Sequence, residues 1–182
     1  MQLQLLSLLA LACGSASVSA MSFAGLAYRP TYDMVAMAEA NNCTFPAHFR
    51  IHDFIGTTSA AGGANASAPL DAFNFKFEDD KTGARTFCQW NASSVSSTPA
   101  GLTPRFSCED SNVKFIWEDG QRELTGIERI CPDQQSGKPG AEVSGSVKLF
   151  LTCSARGICT ANSTDVEGTY YSLGPVLDPT ST

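Results

Sequence analysis

Six cysteines, Cys43, Cys88, Cys108, Cys131, Cys153 and Cys159, constrain this chain more than any other feature. An even set spread along one domain's length reads as a disulfide framework formed in an oxidising compartment. The seventh, Cys13, lies in the N-terminal stretch MQLQLLSLLALACGSASVSA, whose apolar run from Leu3 to Cys13 is too short to span a bilayer. Small residues follow, with Val18 and Ala20 at the minus-three and minus-one positions of a signal-peptidase site. Residues 1–20 therefore read as a signal peptide, although their n-region lacks Lys and Arg; a buried N-terminal helix is the competing reading. Three bridges admit fifteen pairings, and spacing selects none of them. A thiolate metal site is disfavoured, because the tightest spacing, CSARGIC, is wider than the CxxC pairs that zinc uses.

The net charge of −6 has no basic stripe set against it, so neither a nucleic-acid backbone nor an anionic membrane surface is an expected partner. No later stretch approaches a membrane span, and the ending GPVLDPTST lacks the hydrophobic tail of a lipid-anchor signal. The expectation is a secreted, extracellular protein. Four sequons, at Asn42, Asn65, Asn91 and Asn162, can carry glycans on that route. Asn65 sits in an open Gly/Ala/Ser loop, whereas Asn42 precedes a cysteine expected to be bridged.

Residues 21–42 show no strand period; DMVAMAEANN reads as a short helix or an arm laid on the domain. FRIHDFI alternates Phe49, Ile51 and Asp53 with Arg50, His52 and Phe54, an imperfect first strand. AFNFKFEDD is the clearest strand, with Phe73, Phe75 and Phe77 on one face and Asn74, Lys76 and Glu78 on the other. A turn ending at Gly83 leads to RTFCQW. NVKFIWED carries Val113, Phe115 and Trp117 on one face. RELTGIERIC keeps alternation only with a bulge or a change of face at Gly126. CPDQQSGKPGAEVSG reads as a polar loop, SVKLFLTC as a strand with Val147, Leu149, Leu151 and Cys153 on one side, and GTYYSLGPV as a last strand or a strapped tail. The sum is an all-β fold, a compact disulfide-stapled barrel or sandwich of about seven or eight antiparallel strands. The domain limits are a signal peptide at 1–20, an arm at 21–42, a β domain at 43–160, and a strand or tail at 161–182. The alternating aromatics are expected to fill the core rather than to form a ligand-binding face.

No G-x-S-x-G elbow, P-loop or dinucleotide fingerprint is present, and bridged cysteines cannot serve as nucleophiles. His48 and His52 read HFRIH, without the glutamate of a metalloprotease helix, and on a strand they lie too far apart to share a metal. No catalytic, cofactor-binding or metal residue is therefore assigned, and no cofactor is expected. The carboxylates Glu78, Asp79, Asp80, Glu109, Asp110, Glu118 and Asp119 read as solvated turn residues. The competing readings are a weak cation site at Glu78-Asp79-Asp80 and a glycosidase pair across a cleft. His52, Glu78 and Arg50 or Arg85 supply the residue types of a secreted ribonuclease, but the acidic balance opposes that substrate.

With this pattern laid out, CTFPAHFRIHDF from Cys43, FNFKF ahead of Cys88 in FCQW, Cys108 in FSCED before VKFIW, LTGIERIC, and the closing GSVKLFLTC mark a resemblance. Over residues 43–159 the chain resembles fungal secreted proteins of the Alternaria major allergen type, the Alt a 1-like family. The resemblance implies a compact β-barrel or sandwich with internal bridges Cys88–Cys108, Cys131–Cys153 and Cys43–Cys159, with Cys153 and Cys159 exchangeable between the last two. It also implies a monomer or, through Cys43, a dimer. The implied role is non-enzymatic: an effector, elicitor or allergen-like protein recognising a host extracellular defence protein or a small phenolic ligand. A small secreted hydrolase acting on cell-wall carbohydrate through paired carboxylates is the alternative, and a carrier of an apolar ligand inside the barrel is a third. The long 56–69 loop and the sequons depart from the family pattern.

Overall fold

The structure is a computed structural model that describes residues 23–59 and 68–176. The signal-peptide reading and the Asn65 sequon lie outside the described residues. One helix, α1 (Tyr32–Ala40), precedes ten strands: β1 (His48–Thr57), β2 (Ala72–Asp79), β3 (Ala84–Asn91), β4 (Phe106–Ser107), β5 (Val113–Glu118), β6 (Glu123–Pro132), β7 (Pro139–Lys148), β8 (Leu151–Cys153), β9 (Ile158–Ala161) and β10 (Asp165–Pro175). The expected all-β, disulfide-stabilised fold is present as an antiparallel, nearly closed barrel. The path runs β3-β2-β1-β10-β7-β6-β5-β4, with β9 also pairing β1 and β8 hanging from β9. The strand count exceeds the expectation because SVKLFLTC breaks at Leu149–Phe150 and the short β9 has no readable period.

Alternation decides which residues fill the barrel. On β2, Phe73, Phe75, Phe77 and Asp79 are buried in sequence, with intervening side chains directed outward. β1 begins with Phe49 and Ile51 inward. The register then shifts between His52 and Ile55, where Asp53 takes a positive φ of 54°. That bulge returns Phe54 to the interior, which plain alternation had placed opposite Phe49. β6 needs no such device: it pairs continuously with β7 from Glu123 to Ile130, so the bulge expected at Gly126 is absent. Gly126 instead leaves room for the rings of Phe49 and Phe77, which come within 3.1 and 3.2 Å of the space its Cβ would occupy. The polar loop expected through Gly145 is shorter than read. Asp133 Oδ1 accepts from Ser136 N (2.7 Å), closing a tight turn, and β7 starts at once with Pro139 opposite Pro132.

The aromatic rows form core rather than a ligand face. Phe49 contacts Phe77 and Tyr170 at centroid distances of 5.5 and 5.1 Å, and Phe75 meets Phe115 at 5.2 Å. These rings occupy the interior in which a carried ligand would have to sit. The N-terminal arm closes one end, with Ala38 of α1 fully buried and Tyr28 donating to Pro46 O at 2.5 Å.

The three bridges are Cys43–Cys131, Cys88–Cys108 and Cys153–Cys159. The pairings Cys131–Cys153 and Cys43–Cys159 implied by the resemblance are replaced, and so is their exchanged form. Cys153 and Cys159 are direct cross-strand partners in the β8–β9 hairpin, which consumes both, while β6 delivers Cys131 to the arm. Cys43 is thus bonded within its own chain, to Cys131. Cys88–Cys108 joins β3 to the residue after β4, across the barrel's seam, where Glu109 N also donates to Phe87 O at 2.9 Å.

Two substitutions test this account. Replacing Cys88 and Cys108 together by Ser is expected to cost about 3 kcal/mol in urea unfolding and to speed exchange of the Glu109 amide; an unchanged midpoint would mean the strands close the seam unaided. Gly168→Ala would set a Cβ 2.2 Å from the buried Phe49 ring, with an expected loss of about 1–3 kcal/mol, read as a lowered Tm.

Candidate functional site

Two groups of titratable side chains stand out, one inside the barrel and one on its wall. The inner group arises where two inward rows carry acids. Asp79 completes the row Phe73, Phe75, Phe77, and Glu128 lies in the row Leu124, Gly126, Glu128, Ile130. Asp79 is 1% exposed and Glu128 3%. The reading of Asp79 as a solvated turn carboxylate is therefore overturned: period two carries its side chain into the core. Glu78, Asp79 and Asp80 consequently do not converge on a cation. Among the described residues no group of three or more His, Cys, Asp or Glu side chains is placed to hold a metal ion.

Asp79 Oδ1 accepts from the amides of Lys81 (2.7 Å) and Thr82 (3.2 Å), so it also shapes the β2–β3 turn. Its Oδ2 is buried without an ordinary hydrogen-bond donor. Glu128 Oε2 accepts from the Tyr170 hydroxyl at 2.9 Å, and the Asp79 carboxyl lies within hydrogen-bonding reach of Glu128. Burial, reinforced by the Asp79 charge, pushes the Glu128 carboxyl up to about 8. A neutral Glu128 supplies the proton that Asp79 Oδ2 otherwise lacks, and the pair shares it. The Tyr170 and Tyr28 phenols are pushed up too, first by burial and then by these carboxyls. A glycosidase holds its two acids about 5–9 Å apart with sugar between them. This pair is in hydrogen-bonding contact, which leaves no room for a sugar between the two acids.

The outer group lies across β10, β1, β2 and β3. His52 Nε2 stands 3.3 Å from Glu78 Oε2, without hydrogen-bond alignment, and its Nδ1 is 3.8 Å from Asp165. Arg85 reaches Glu78 at 2.6 Å and Asp80 at 3.6 Å, and Arg50 reaches Asp80 at 3.4 Å. His48 faces Glu167 at 3.6 Å. The trio named for ribonuclease chemistry does meet, because Arg50 and Arg85 both pair with Glu78 across the strands. Both arginines are engaged by carboxylates, and Asp53 and Asp165 add further negative charge beside His52. A phosphate would have to displace those partners. Exposed pairs of this kind contribute little stability.

Of the other singled-out residues, Glu109, Asp110 and Glu118 are exposed, and Asp119 accepts from Trp117 Nε1 at 3.0 Å. Asn42, Asn91 and Asn162 are exposed. Sequence reasoning missed Glu128, Tyr28 and Tyr170. For Glu128 the signal was present: it shares strand parity with Leu124 and Ile130.

No family model matches the chain, and no curated protein matches it. Two crystal structures of the Alternaria alternata major allergen Alt a 1 are similar. One has a TM-score of 0.48 and 16% identity, covering 72% of this chain and 97% of the allergen. The other has a TM-score of 0.46 and 15% identity, covering 70% and 92%. The likeness is one of chain path, and no residue's role is carried over from it. Among the described residues no helix is long and apolar enough to cross a membrane.

The acid pair has a measurable consequence. Glu128 stays protonated in the folded barrel up to about pH 8, whereas an unfolded glutamate ionises near pH 4.3. Between those values the folded state holds a proton that the unfolded state has released, so stability falls as pH rises through that window. The free energy of unfolding from urea titrations is expected to drop from pH 5 to pH 8, by up to about 1.4 kcal/mol per pH unit, lowering the midpoint, and Glu128→Gln is expected to flatten the slope. A midpoint that climbs over this range, or the same slope in Glu128→Gln, would reject the shared proton.

Proposed function

We propose that this chain is an extracellular, non-catalytic recognition protein that meets its partner with the outer wall of a rigid barrel. The observation that carries this reading is the bonding of all six described cysteines in three bridges, a state that belongs to an oxidising compartment and leaves those sulfurs no nucleophilic chemistry. Two further observations support it. The two buried acids are in contact with each other, with no space for a substrate between them, and the arginines on the wall are already engaged by carboxylates. Rings fill the barrel, so a ligand would lodge on the outside, where a pocket of about 430 Å³ lies between the arm and the strip bearing His48 and Arg50. A host extracellular defence protein or a small phenolic compound, the partners implied by the sequence resemblance, would both bind there or on the neighbouring wall.

The test compares the purified, oxidised protein with His52→Ala and Glu78→Gln variants on RNA and on cell-wall glycans. Turnover at the buffer blank in all three is expected. Hydrolysis by the unaltered chain that either substitution abolishes would replace this reading with an enzymatic one. Thiol titration of the exported protein under denaturant is expected to find no free sulfhydryl; free thiols would remove the extracellular assignment.

A further inference from the structure

One part of the barrel wall that carries no charged side chain runs across β8, β9, β1, β2 and β3. There the outward side chains form two adjoining cross-strand rows. In one, Thr152 is paired with Thr160, Thr160 with Ile55, Ile55 with Asn74, and Asn74 with Gln89. In the other, Ile158 is paired with Thr57, Thr57 with Ala72, and Ala72 with Asn91. Neither row contains a charged residue, in a chain with 18 acidic and 12 basic side chains. Along β2 the strip ends at Lys76, whose ammonium pairs with Asp53 at 2.9 Å.

The strip combines unspent polar groups with exposed aliphatic ones. The side chains of Thr57, Thr160, Asn74 and Gln89 make no hydrogen bond to other described residues. Ile55 and Ile158 are 44% and 47% exposed. Between them and β3 lies a shallow pocket of about 150 Å³ bordered by Ile55, Asn74, Gln89 and Trp90. The Cys153–Cys159 bridge pins the β8–β9 hairpin from the inner side, so one end of the strip is held in register before any ligand arrives.

We propose that this strip binds an extended, neutral, β-1,4-linked polysaccharide. The inference rests on the recognition reading above and gives it a ligand class. Hydroxyl-rich chains without charge are complemented by amides, threonine hydroxyls and aliphatic surface, and charged side chains there would have to be desolvated without a counter-ion. The rows offer one side chain per strand, about 4.8 Å apart, close to the rise per sugar of an extended chain, so successive sugars meet successive strands. A second copy of the protein is a poorer occupant: the strip measures roughly 19 by 7 Å, far below the ~800 Å² that each partner of a stable dimer presents.

The experiment uses the full chain exported to a bacterial periplasm, where bridges form and no N-glycan is added at Asn91. Depletion from solution by microcrystalline cellulose and by chitin is measured for the unaltered protein, for Ile55→Glu, for an Asn74→Ala/Gln89→Ala double variant, and for Tyr32→Ala, which removes an exposed aromatic elsewhere. Near-UV circular dichroism reports folding, and the double variant decides the matter should Ile55→Glu misfold. Depletion by at least one polymer is expected, with affinity lowered about tenfold or more in the strip variants and unchanged in Tyr32→Ala. No depletion by either polymer, or equal depletion by the strip variants, overturns the proposal. So does sedimentation showing that Ile55→Glu splits a dimer while polymer binding persists. Reducing ends are counted in the same supernatants: their release would sink the non-catalytic reading, whereas absence of binding without release would sink only the polysaccharide.

Discussion

Closure of the seam between β3 and β4 is the constraint on which the remaining architecture rests. An open sheet whose inner face is lined by phenylalanines would expose them along its two free edges; joining those edges turns the same surface into an interior. β4 is too short to close the seam by strand pairing alone. The Cys88–Cys108 bond and the Glu109 amide supply the closure, and the opposing rows from β1, β2, β5, β6 and β10 then meet as stacked and edge-on rings. Gly126 and Gly168 are small where those rings pass.

Two of the barrel's inward rows carry acids, Asp79 at the end of one and Glu128 within the other. Placing Asp79 and Glu128 together in the core would be prohibitive if both were charged. A proton on Glu128, the Tyr170 hydroxyl and the amides of the β2–β3 turn offset the cost of burying the pair by hydrogen bonding it. The arrangement links three parts of the chain that share no sequence proximity: the turn after β2, the middle of β6, and β10. The pair therefore reads as an organising element of the fold. The ion pairs on the outer wall are a separate matter, exposed and individually weak.

Much of this was legible in the residues. The strand faces of FNFKF and VKFIW, the turn at Gly83 and the all-β class follow from periodicity and turn chemistry alone, whereas DMVAMAEANN is compatible with either a short helix or an arm. Asp79 was misplaced because its neighbours Glu78 and Asp80 suggested a solvated acidic turn, although the spacing from Phe77 already assigned it inward. Phe54 could not be placed without the left-handed Asp53, a backbone feature that no side-chain pattern announces. Two of the three disulfide partners were unreadable for a different reason. Which cysteines face each other depends on β9 folding back beside β8, and that depends on where the SVKLFLTC run breaks. The neutral strip was equally invisible, since its members come from five strands and only the register brings them into rows.

The Cys43–Cys131 bond spans 88 residues, and it has a consequence for biogenesis. As the polypeptide leaves the ribosome, Cys43 emerges before the other five bridged cysteines, and Cys88 and Cys108 follow it before its own partner appears. Either of those thiols is a chemically competent mate in the meantime. Correct assembly therefore depends on the β2–β3 hairpin and the strand pair after it capturing Cys88 and Cys108 early, leaving the arm to be fastened as a late event. Correct pairing of Cys43 with Cys131 is thereby coupled to the order of synthesis, because early formation of Cys88–Cys108 removes the two competing thiols.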